Sequence, residues 1–171
     1  MDERQHILRG LYGLDDVDDA TISALARCFD LRTYTHVELC REGDLADRLW
    51  VLGSGQISVS RTLSSRRPYE VAVLRPTTIV GFAGLLGITK RSATLQANET
   101  IEVLEMTNER ASELLKQDGS RVSSALRRAI IAAASRQVST ANKNIAKLAV
   151  EVGLAQPVIS EESLLAAQTL H

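Results

Sequence analysis

The sequence predicts a mostly-β domain with flanking helices, on three observations. Between Tyr34 and Met106, apolar residues occur in short or alternating runs that glycine, proline and aspartate separate. On either side of this region, apolar residues recur at helical spacing. Seven or eight such short runs are typical of an antiparallel sandwich or barrel, and the flanking periodicity is typical of amphipathic helices. We therefore expect four segments, residues 1–33, 34–108, 109–152 and 153–171.

The first segment is predicted to be helical. Asp15 and Asp16 precede an apolar stripe that begins at Val17 and ends at Phe29. Acidic side chains stabilise a helix near its N-terminus, where the macrodipole is positive. The pattern predicts a helix over residues 16–29.

The second segment is predicted to be the β-barrel. Its valine, isoleucine and leucine runs are bounded by turn-forming residues, as in the strands of an antiparallel sheet. The predicted strands are residues 37–39, 49–52, 56–60, 71–74, 79–80, 93–97 and 101–104.

The third segment is predicted to contain a short helix and a long one, separated at Asp118-Gly119. The apolar stripe of the long helix continues for some thirty residues, or roughly 45 Å at 1.5 Å per residue. Such a helix overhangs a barrel of about seventy residues, so we expect a homodimer in which part of the stripe packs on a second copy. Gly153 and Pro157 end the helix, and residues 153–171 form a tail. The stripe consists of Val122, Leu126, Ala129, Ile130, Ala133, Val138, Ala141, Ile145, Leu148 and Val152.

Length and composition exclude several classes of protein. A chain of 171 residues with 44% hydrophobic residues can bury its own core without disulfides or a structural metal. Its net charge of −1 argues against a dedicated nucleic-acid binder. No apolar run approaches the ~18 residues of a membrane span, and the N-terminus lacks a signal-peptide core. We expect a cytoplasmic protein without a membrane partner.

Residues suited to metal binding or catalysis are not clustered. Cys28 and Cys40 lie in unlike contexts and are predicted to be buried, reduced thiols. The histidines, His6, His36 and His171, are scattered, so no metal site is expected. No Ser/His/Asp, Cys/His or paired-carboxylate arrangement stands out of the predicted strands. We therefore expect no enzymatic activity and no cofactor.

The small net charge is the sum of an acidic region and a basic region. Residues 1–50 contain eleven acidic residues against six arginines, and residues 121–151 contain six basic residues against Glu151 alone. These regions are either electrostatic partner surfaces or, in the simpler interpretation, solvated helix faces.

A glycine-bearing turn begins at Gly81 and leads into Arg91. It is not a Walker phosphate loop, because the lysine of that motif directly follows the last glycine and here Ile88 does. If the turn opens one helical turn, its backbone N–H groups offer an anion site, and the planar guanidinium of Arg91 can bind the same anion. Without an anionic ligand, a buried Arg91 needs an internal carboxylate such as Glu70 or Glu99.

Three stretches resemble the cyclic nucleotide-binding domain, a family shared by bacterial catabolite activators, kinase regulatory subunits and cyclic-nucleotide-gated channels. They are the Glu-Gly-Asp turn and the strands after it at residues 42–57, residues 71–81, and residues 81–93, which stand where the family has its phosphate-binding cassette. The resemblance covers about residues 14–150. It implies an eight-stranded jelly-roll (double-stranded β-helix) barrel with an N-terminal helix and a long C-terminal helix. It also implies a small anionic ligand, cyclic AMP or another cyclic nucleotide.

The resemblance further implies which residues bind that ligand. In the family an arginine binds the cyclic phosphate, the next two residues add hydroxyl and backbone contacts, and glycines and a leucine shape the cassette turn. Hydroxyl residues of the long helix meet the adenine, one from each subunit. The arginine corresponds to Arg91, and the next two residues are Ser92 and Ala93. The turn residues correspond to Gly81, Gly84 and Leu85. The hydroxyl residues of the long helix correspond to Ser139 and Thr140. In the simpler interpretation, Ser139 and Thr140 are ordinary exposed helix residues.

One cassette position departs from the family. Where the family usually has a glutamate that accepts a hydrogen bond from the ribose 2′-hydroxyl, this chain has Phe82. A hydrogen bond to a charged group is worth roughly 1.5–3 kcal/mol, so its loss predicts about ten- to a hundred-fold weaker binding of a cyclic mononucleotide. Phe82 either fills space or offers a stacking platform for a base.

Three functions are compatible with the sequence. The first is a non-enzymatic receptor module in which an anionic nucleotide enters the barrel at Arg91 and the long helix shifts against its dimer mate. The second is a ligand-free descendant that serves as an interaction or assembly module. The third is a truncated transcription regulator. Direct DNA binding is not expected, because only about nineteen residues follow Val152 and the family's winged helix needs roughly sixty to seventy.

Overall fold

A computed structural model describes residues 2–62 and 67–153. It divides into two compact units, one that ends at Ala133 and one that begins at Ala134. The predicted tail lies outside the described residues apart from Gly153.

Two short helices, α1 (Glu3–Arg9) and α2 (Asp19–Ala26), precede the sheet. The predicted helix over residues 16–29 is therefore shorter than expected. Its N-cap is Asp18, whose carboxylate accepts a hydrogen bond from the Thr21 backbone N–H at 2.9 Å. An aspartate that satisfies a free N–H in this way fixes where a helix begins.

Six strands form one antiparallel sheet in the described part of the chain. Seven runs were predicted, and the resemblance implied eight strands. The difference arises partly because the predicted strands 93–97 and 101–104 are one continuous strand. The strands are β1 (Asp30–Cys40), β2 (Arg48–Ser54), β3 (Ile57–Thr62), β4 (Pro68–Leu74), β5 (Thr78–Val80) and β6 (Thr94–Thr107).

The long strand β6 organises the sheet. The strand order is β4-β3-β6-β2-β5, and β1 also pairs with β6. Near its start β6 pairs with β3, as in Leu95 opposite Val59, and further on it pairs with β2, as in Leu104 opposite Val51. The curled sheet encloses an apolar core of Trp50, Leu52, Ile57, Val80, Leu95, Ala97, Ile101 and Val103.

Two helices follow the sheet, α3 (Asn108–Leu115) and α4 (Arg121–Glu151). In the first unit, Leu126 and Ile130 of α4 are buried. Arg121 and Arg128 of α4 form ion pairs with Asp18 and Asp16, so part of the acidic front pairs with the start of the basic helix. These ion pairs within the chain neutralise part of the acidic and basic charge, and that part needs no partner protein.

The second unit contains the rest of α4. Its apolar residues Val138, Ile145, Leu148 and Val152 are exposed, each by 57–64%. None of the helices in residues 2–62 and 67–153 has a stretch long and apolar enough to cross a membrane.

The two cysteines are both free thiols. Cys28 and Cys40 are partly buried, whereas full burial was expected. Burial still raises the pKa of the Cys40 thiol above its usual value, because removal from water disfavours the thiolate.

Candidate functional site

The predicted glycine-bearing turn forms a single short helical turn. Residues Phe82–Leu86 are a 3-10 helix, with Gly81 before it and Gly87 after it. Both glycines have left-handed backbone angles, φ 82° and φ 86°. Glycine adopts this conformation without the penalty that a Cβ imposes.

Gly81 is also required by space. A Cβ at this position would lie 2.7 Å from both the Arg48 carbonyl oxygen and Nη1 of Arg91, and 3.2 Å from the Trp50 ring. By contrast, a Cβ at Gly87 would meet nothing within 4 Å. The guanidinium of Arg91 therefore lies directly against the first glycine of the turn.

The Glu-Gly-Asp turn holds the main chain at Arg91. The Arg91 N–H donates to the Asp44 carbonyl at 2.8 Å, and the Gly43 N–H donates to the Arg91 carbonyl at 2.9 Å. Leu45 and Lys90 form an isolated antiparallel bridge beside this pair. The two motifs that are distant in the sequence are thus adjacent in the fold.

The guanidinium of Arg91 is buried, with 5% of its side chain exposed. Its Nη2 donates to the Arg48 carbonyl at 2.8 Å and to Asp47 Oδ1 at 3.2 Å, and Nη1 donates to the Gly81 carbonyl at 3.3 Å. Its Cζ lies 4.7 Å from the centroid of the Trp50 ring. A cation over the face of a tryptophan is attracted by the negative face of the ring.

One donor of Arg91 has no partner. The Nε atom is buried and makes no hydrogen bond. Leaving a buried donor unpaired costs about 1–3 kcal/mol. An unpaired donor on a buried, charged side chain is the kind of group that a bound anion satisfies.

The internal carboxylate beside Arg91 is Asp47, and the expectation of Glu70 or Glu99 is wrong. Glu70 instead accepts a hydrogen bond from Ser58 Oγ at 2.7 Å. Asp47 directly precedes β2, so the bridge to the Arg91 segment brings the two side chains together. A hydrogen bond from Arg48 is the largest cause that lowers the pKa of Asp47, and the charge of Arg91 adds to it.

Phe82 is buried, with 6% exposed, which supports the space-filling interpretation. The next glycine of the turn, Gly84, lies against α3. A Cβ there would overlap with Nδ2 of Asn108, whose amide donates to the Ala46 carbonyl. Glycine is thus needed at this position for close packing.

The remaining predicted site residues differ in exposure. Leu85 and Ala93 are partly buried and Ser92 is exposed. Ser139 and Thr140 are exposed residues of α4 in the second unit, and their contact with a base stays a prediction. Sequence reasoning singled out neither Trp50 nor Asp47 as a site residue.

Comparison with known proteins defines the class of this domain. Residues 34–118 match the family model of the cyclic nucleotide-binding domain. The N-terminal domain of a transcriptional regulator from Streptomyces coelicolor A3(2) has a similar structure, with 26% identity, a TM-score of 0.63, and 80% of this chain and 95% of that chain covered. A comparison with curated proteins finds no match.

Two further structures share the fold. The catabolite activator protein of Thermus thermophilus is 22% identical with a TM-score of 0.67, and the match covers 80% of this chain and 62% of that one. A cyclic nucleotide-binding domain from Methylobacillus flagellatus is 16% identical with a TM-score of 0.69, covering 92% and 85%. The chain therefore carries a domain of the cyclic nucleotide-binding family, over residues 34–118.

Proposed function

We propose that this chain is a non-enzymatic regulatory module of the cytoplasm whose barrel binds a small anionic nucleotide, cyclic AMP or another cyclic nucleotide, at Arg91. The observation that carries the proposal is the buried Nε of Arg91, which has no hydrogen-bond partner. The guanidinium is fixed by Trp50 and by two backbone carbonyls. A phosphate oxygen at Nε adds a charge-assisted hydrogen bond to a group already oriented.

Affinity for a cyclic mononucleotide is reduced by Phe82. The buried phenyl ring stands where the family has a ribose-binding carboxylate. The loss of one hydrogen bond to a charged group corresponds to about ten- to a hundred-fold in affinity. A nucleotide whose recognition does not depend on the ribose 2′-hydroxyl is less affected.

The test is calorimetric titration with cyclic AMP, cyclic GMP and a cyclic dinucleotide. The proposal expects binding of at least one of them, and its loss in both Arg91→Gln and Arg91→Ala. Arg32→Ala is the matched control, because Arg32 is an exposed arginine of β1 paired only loosely with Asp30, at 3.9 Å. No heat with any of the three ligands, from protein that melts cooperatively, would overturn the proposal.

A second test addresses Phe82. Phe82→Glu restores the carboxylate and is expected to strengthen cyclic AMP binding, provided that the melting temperature shows a folded protein. Phe82→Leu opens space without adding an acceptor, so it separates the two effects. If Phe82→Glu is folded and binds no more tightly than Phe82→Leu, the assignment of this position is wrong.

The proposal includes a homodimer through α4. Ile131, Val138 and Ile145 of α4 recur every seven residues, Val152 follows at the same spacing just after the helix ends, and all four are exposed by 58–64%. Leu148 stands three residues after Ile145. β-branched residues that recur every seven positions on one face of a helix are typical of a coiled-coil seam. A second copy covers this stripe.

The second candidate function is a ligand-free assembly module. It is favoured by the internal pairing of Arg91, since Asp47 already provides a carboxylate at 3.2 Å. In this alternative α4 mediates assembly and no nucleotide binds. The calorimetric titration separates the two functions, because only the first predicts binding that Arg91 variants lose.

A further inference from the structure

Glu105 on β6 is a largely buried carboxylate that accepts hydrogen bonds from side chains of two other strands. Its side chain is 12% exposed. Oε2 accepts hydrogen bonds from Trp50 Nε1 at 2.7 Å and from Tyr34 Oη at 3.0 Å, and Oε1 accepts one from Arg48 Nη1 at 3.0 Å. The register places Glu105 opposite Trp50 on one side and Asp30 on the other. None of the functions considered above uses this group.

Two of the three donors to Glu105 also contact Arg91. The Trp50 ring lies under the Arg91 guanidinium, 4.7 Å from centroid to Cζ. The Arg48 carbonyl accepts a hydrogen bond from Nη2 of Arg91 at 2.8 Å, the shortest of the three given above for the Arg91 guanidinium. Glu105 thus accepts hydrogen bonds from the side chains of both residues that contact the Arg91 guanidinium.

A third connection runs through Asp47. Nη2 of Arg48 lies 2.9 Å from Asp47 Oδ2, while Asp47 Oδ1 accepts from Nη2 of Arg91 at 3.2 Å. Five side chains form a closed ring in which Arg91 and Glu105 stand on opposite sides. Trp50 joins them on one side, and Arg48 and Asp47 join them on the other. Connected hydrogen bonds and ion pairs of this kind hold a binding group in one orientation.

We propose that Glu105 is a positioning residue that orients Arg91 for anion binding through Trp50 and Arg48. This inference rests on the proposed function for its role in binding, although the coupling itself is a property of the ligand-free protein. A carboxylate suits the position because Trp50, Tyr34 and Arg48 can all donate to it at once. Glutamine keeps the shape and one acceptor oxygen, but its NH₂ group is a donor, so the side chain cannot accept hydrogen bonds from all three groups.

The experiment follows Arg91 and Trp50 side chains by NMR in the ligand-free, ¹⁵N-labelled full chain. Trp50 is the sole tryptophan of the sequence, so its indole N–H signal needs no further assignment. The Arg91 Nε–H signal is identified by its loss in Arg91→Lys. In Glu105→Gln we expect both signals to shift and the Arg91 Nε–H to exchange faster with water.

Glu102→Gln is the matched control, because Glu102 lies on the same strand and accepts from Ser54 Oγ at 3.3 Å, away from Arg91. It is expected to move neither signal. If Glu105→Gln fails to fold, Trp50→Phe tests the same coupling, since it keeps a ring under Arg91 but cannot donate to Glu105. An Arg91 Nε–H signal that is unchanged in the folded variant would overturn the proposal.

Titration with cyclic AMP tests the role in binding. The expected result is about five- to ten-fold weaker affinity in Glu105→Gln, the size of effect that one lost hydrogen bond gives, with wild-type affinity in Glu102→Gln. Equal affinity in the two variants would overturn the positioning role. If the wild-type protein binds no nucleotide, the proposed function fails, whereas the ligand-free signals still decide whether Glu105 orients Arg91.

Discussion

Nη2 of Arg91 lies 3.2 Å from Oδ1 of Asp47, and the two side chains differ sharply in exposure, 5% for the arginine and 54% for the aspartate. Asp47 is therefore partly in water while its partner is buried. Water screens the charge of the exposed aspartate, which weakens its pairing with Arg91 relative to a fully buried pair. An entering anion can displace such a carboxylate more readily than a buried one.

This relationship predicts the effect of Asp47→Asn on ligand affinity. Because the variant removes a competing charge and keeps the side-chain shape, cyclic AMP is expected to bind up to about five-fold more tightly. Calorimetric titration measures the change. Asp30→Asn is the control, since it removes one exposed carboxylate elsewhere on the chain. Weaker binding in Asp47→Asn would contradict the competition between Asp47 and the ligand for Arg91.

The pKa of Asp47 predicts a pH dependence of stability. Hydrogen bonds from Arg48, with the charge of Arg91, hold this pKa below its usual value in the folded protein. The stabilisation is therefore fully present above about 3.9, the pKa of an unfolded aspartate, and is lost as the pH falls through the lower folded value. Urea unfolding of wild type and Asp47→Asn should show a constant difference between about pH 7 and pH 5, and a shrinking one below about pH 4. A difference that disappears already between pH 7 and pH 5 contradicts this account.

Gly81 and Gly87 provide a matched pair for a stability prediction. Both have left-handed backbone angles, but only a Cβ at Gly81 would contact Arg91 and the Arg48 carbonyl. Gly87→Ala should lose about 1 kcal/mol of unfolding free energy from backbone strain, and Gly81→Ala about 2–4 kcal/mol, because close contact adds to the strain. Urea unfolding followed by Trp50 fluorescence measures both. Equal losses would show that the close approach of Arg91 is not maintained in solution.

The stripe on α4 predicts the effect of Ile145→Asp on oligomeric state. A charge at the centre of a coiled-coil seam is expected to convert the dimer to a monomer. Lys143→Asp, two residues away and off the heptad positions of Val138 and Ile145, should leave the dimer intact. Light scattering coupled to size-exclusion chromatography gives both masses. A wild-type chain that is a monomer at all concentrations rules the dimer out.

The sequence was sufficient for much of the fold because the strands have clear boundaries. Glycine and proline separate the apolar runs, and the resulting all-antiparallel sheet lies where residues 34–108 were predicted, beginning four residues earlier at Asp30. The residue at which helix α2 begins was less predictable. Asp18, not Asp15 or Asp16, caps α2, and this choice depends on which carboxylate meets Thr21 in the folded chain.

The site was only partly predictable. The glycine turn follows from local sequence, but the partner of Arg91 does not. Asp47 is forty-four residues away and reaches Arg91 because the Leu45–Lys90 bridge joins two loops. The connection of Glu105 to the site depends on the strand register, which places Glu105 opposite Trp50. Contacts of this range depend on strand pairing, which single-residue patterns do not specify.

The most direct test of the central claim is the Arg91 Nε–H signal during titration with cyclic AMP, cyclic GMP and a cyclic dinucleotide in turn. If Arg91 binds the phosphate through its unpaired Nε, that signal shifts saturably with at least one ligand, with the same dissociation constant that calorimetry gives. A signal that stays unchanged at millimolar concentrations of all three ligands, in protein that remains folded, would contradict the assignment of Arg91 as the anion-binding group.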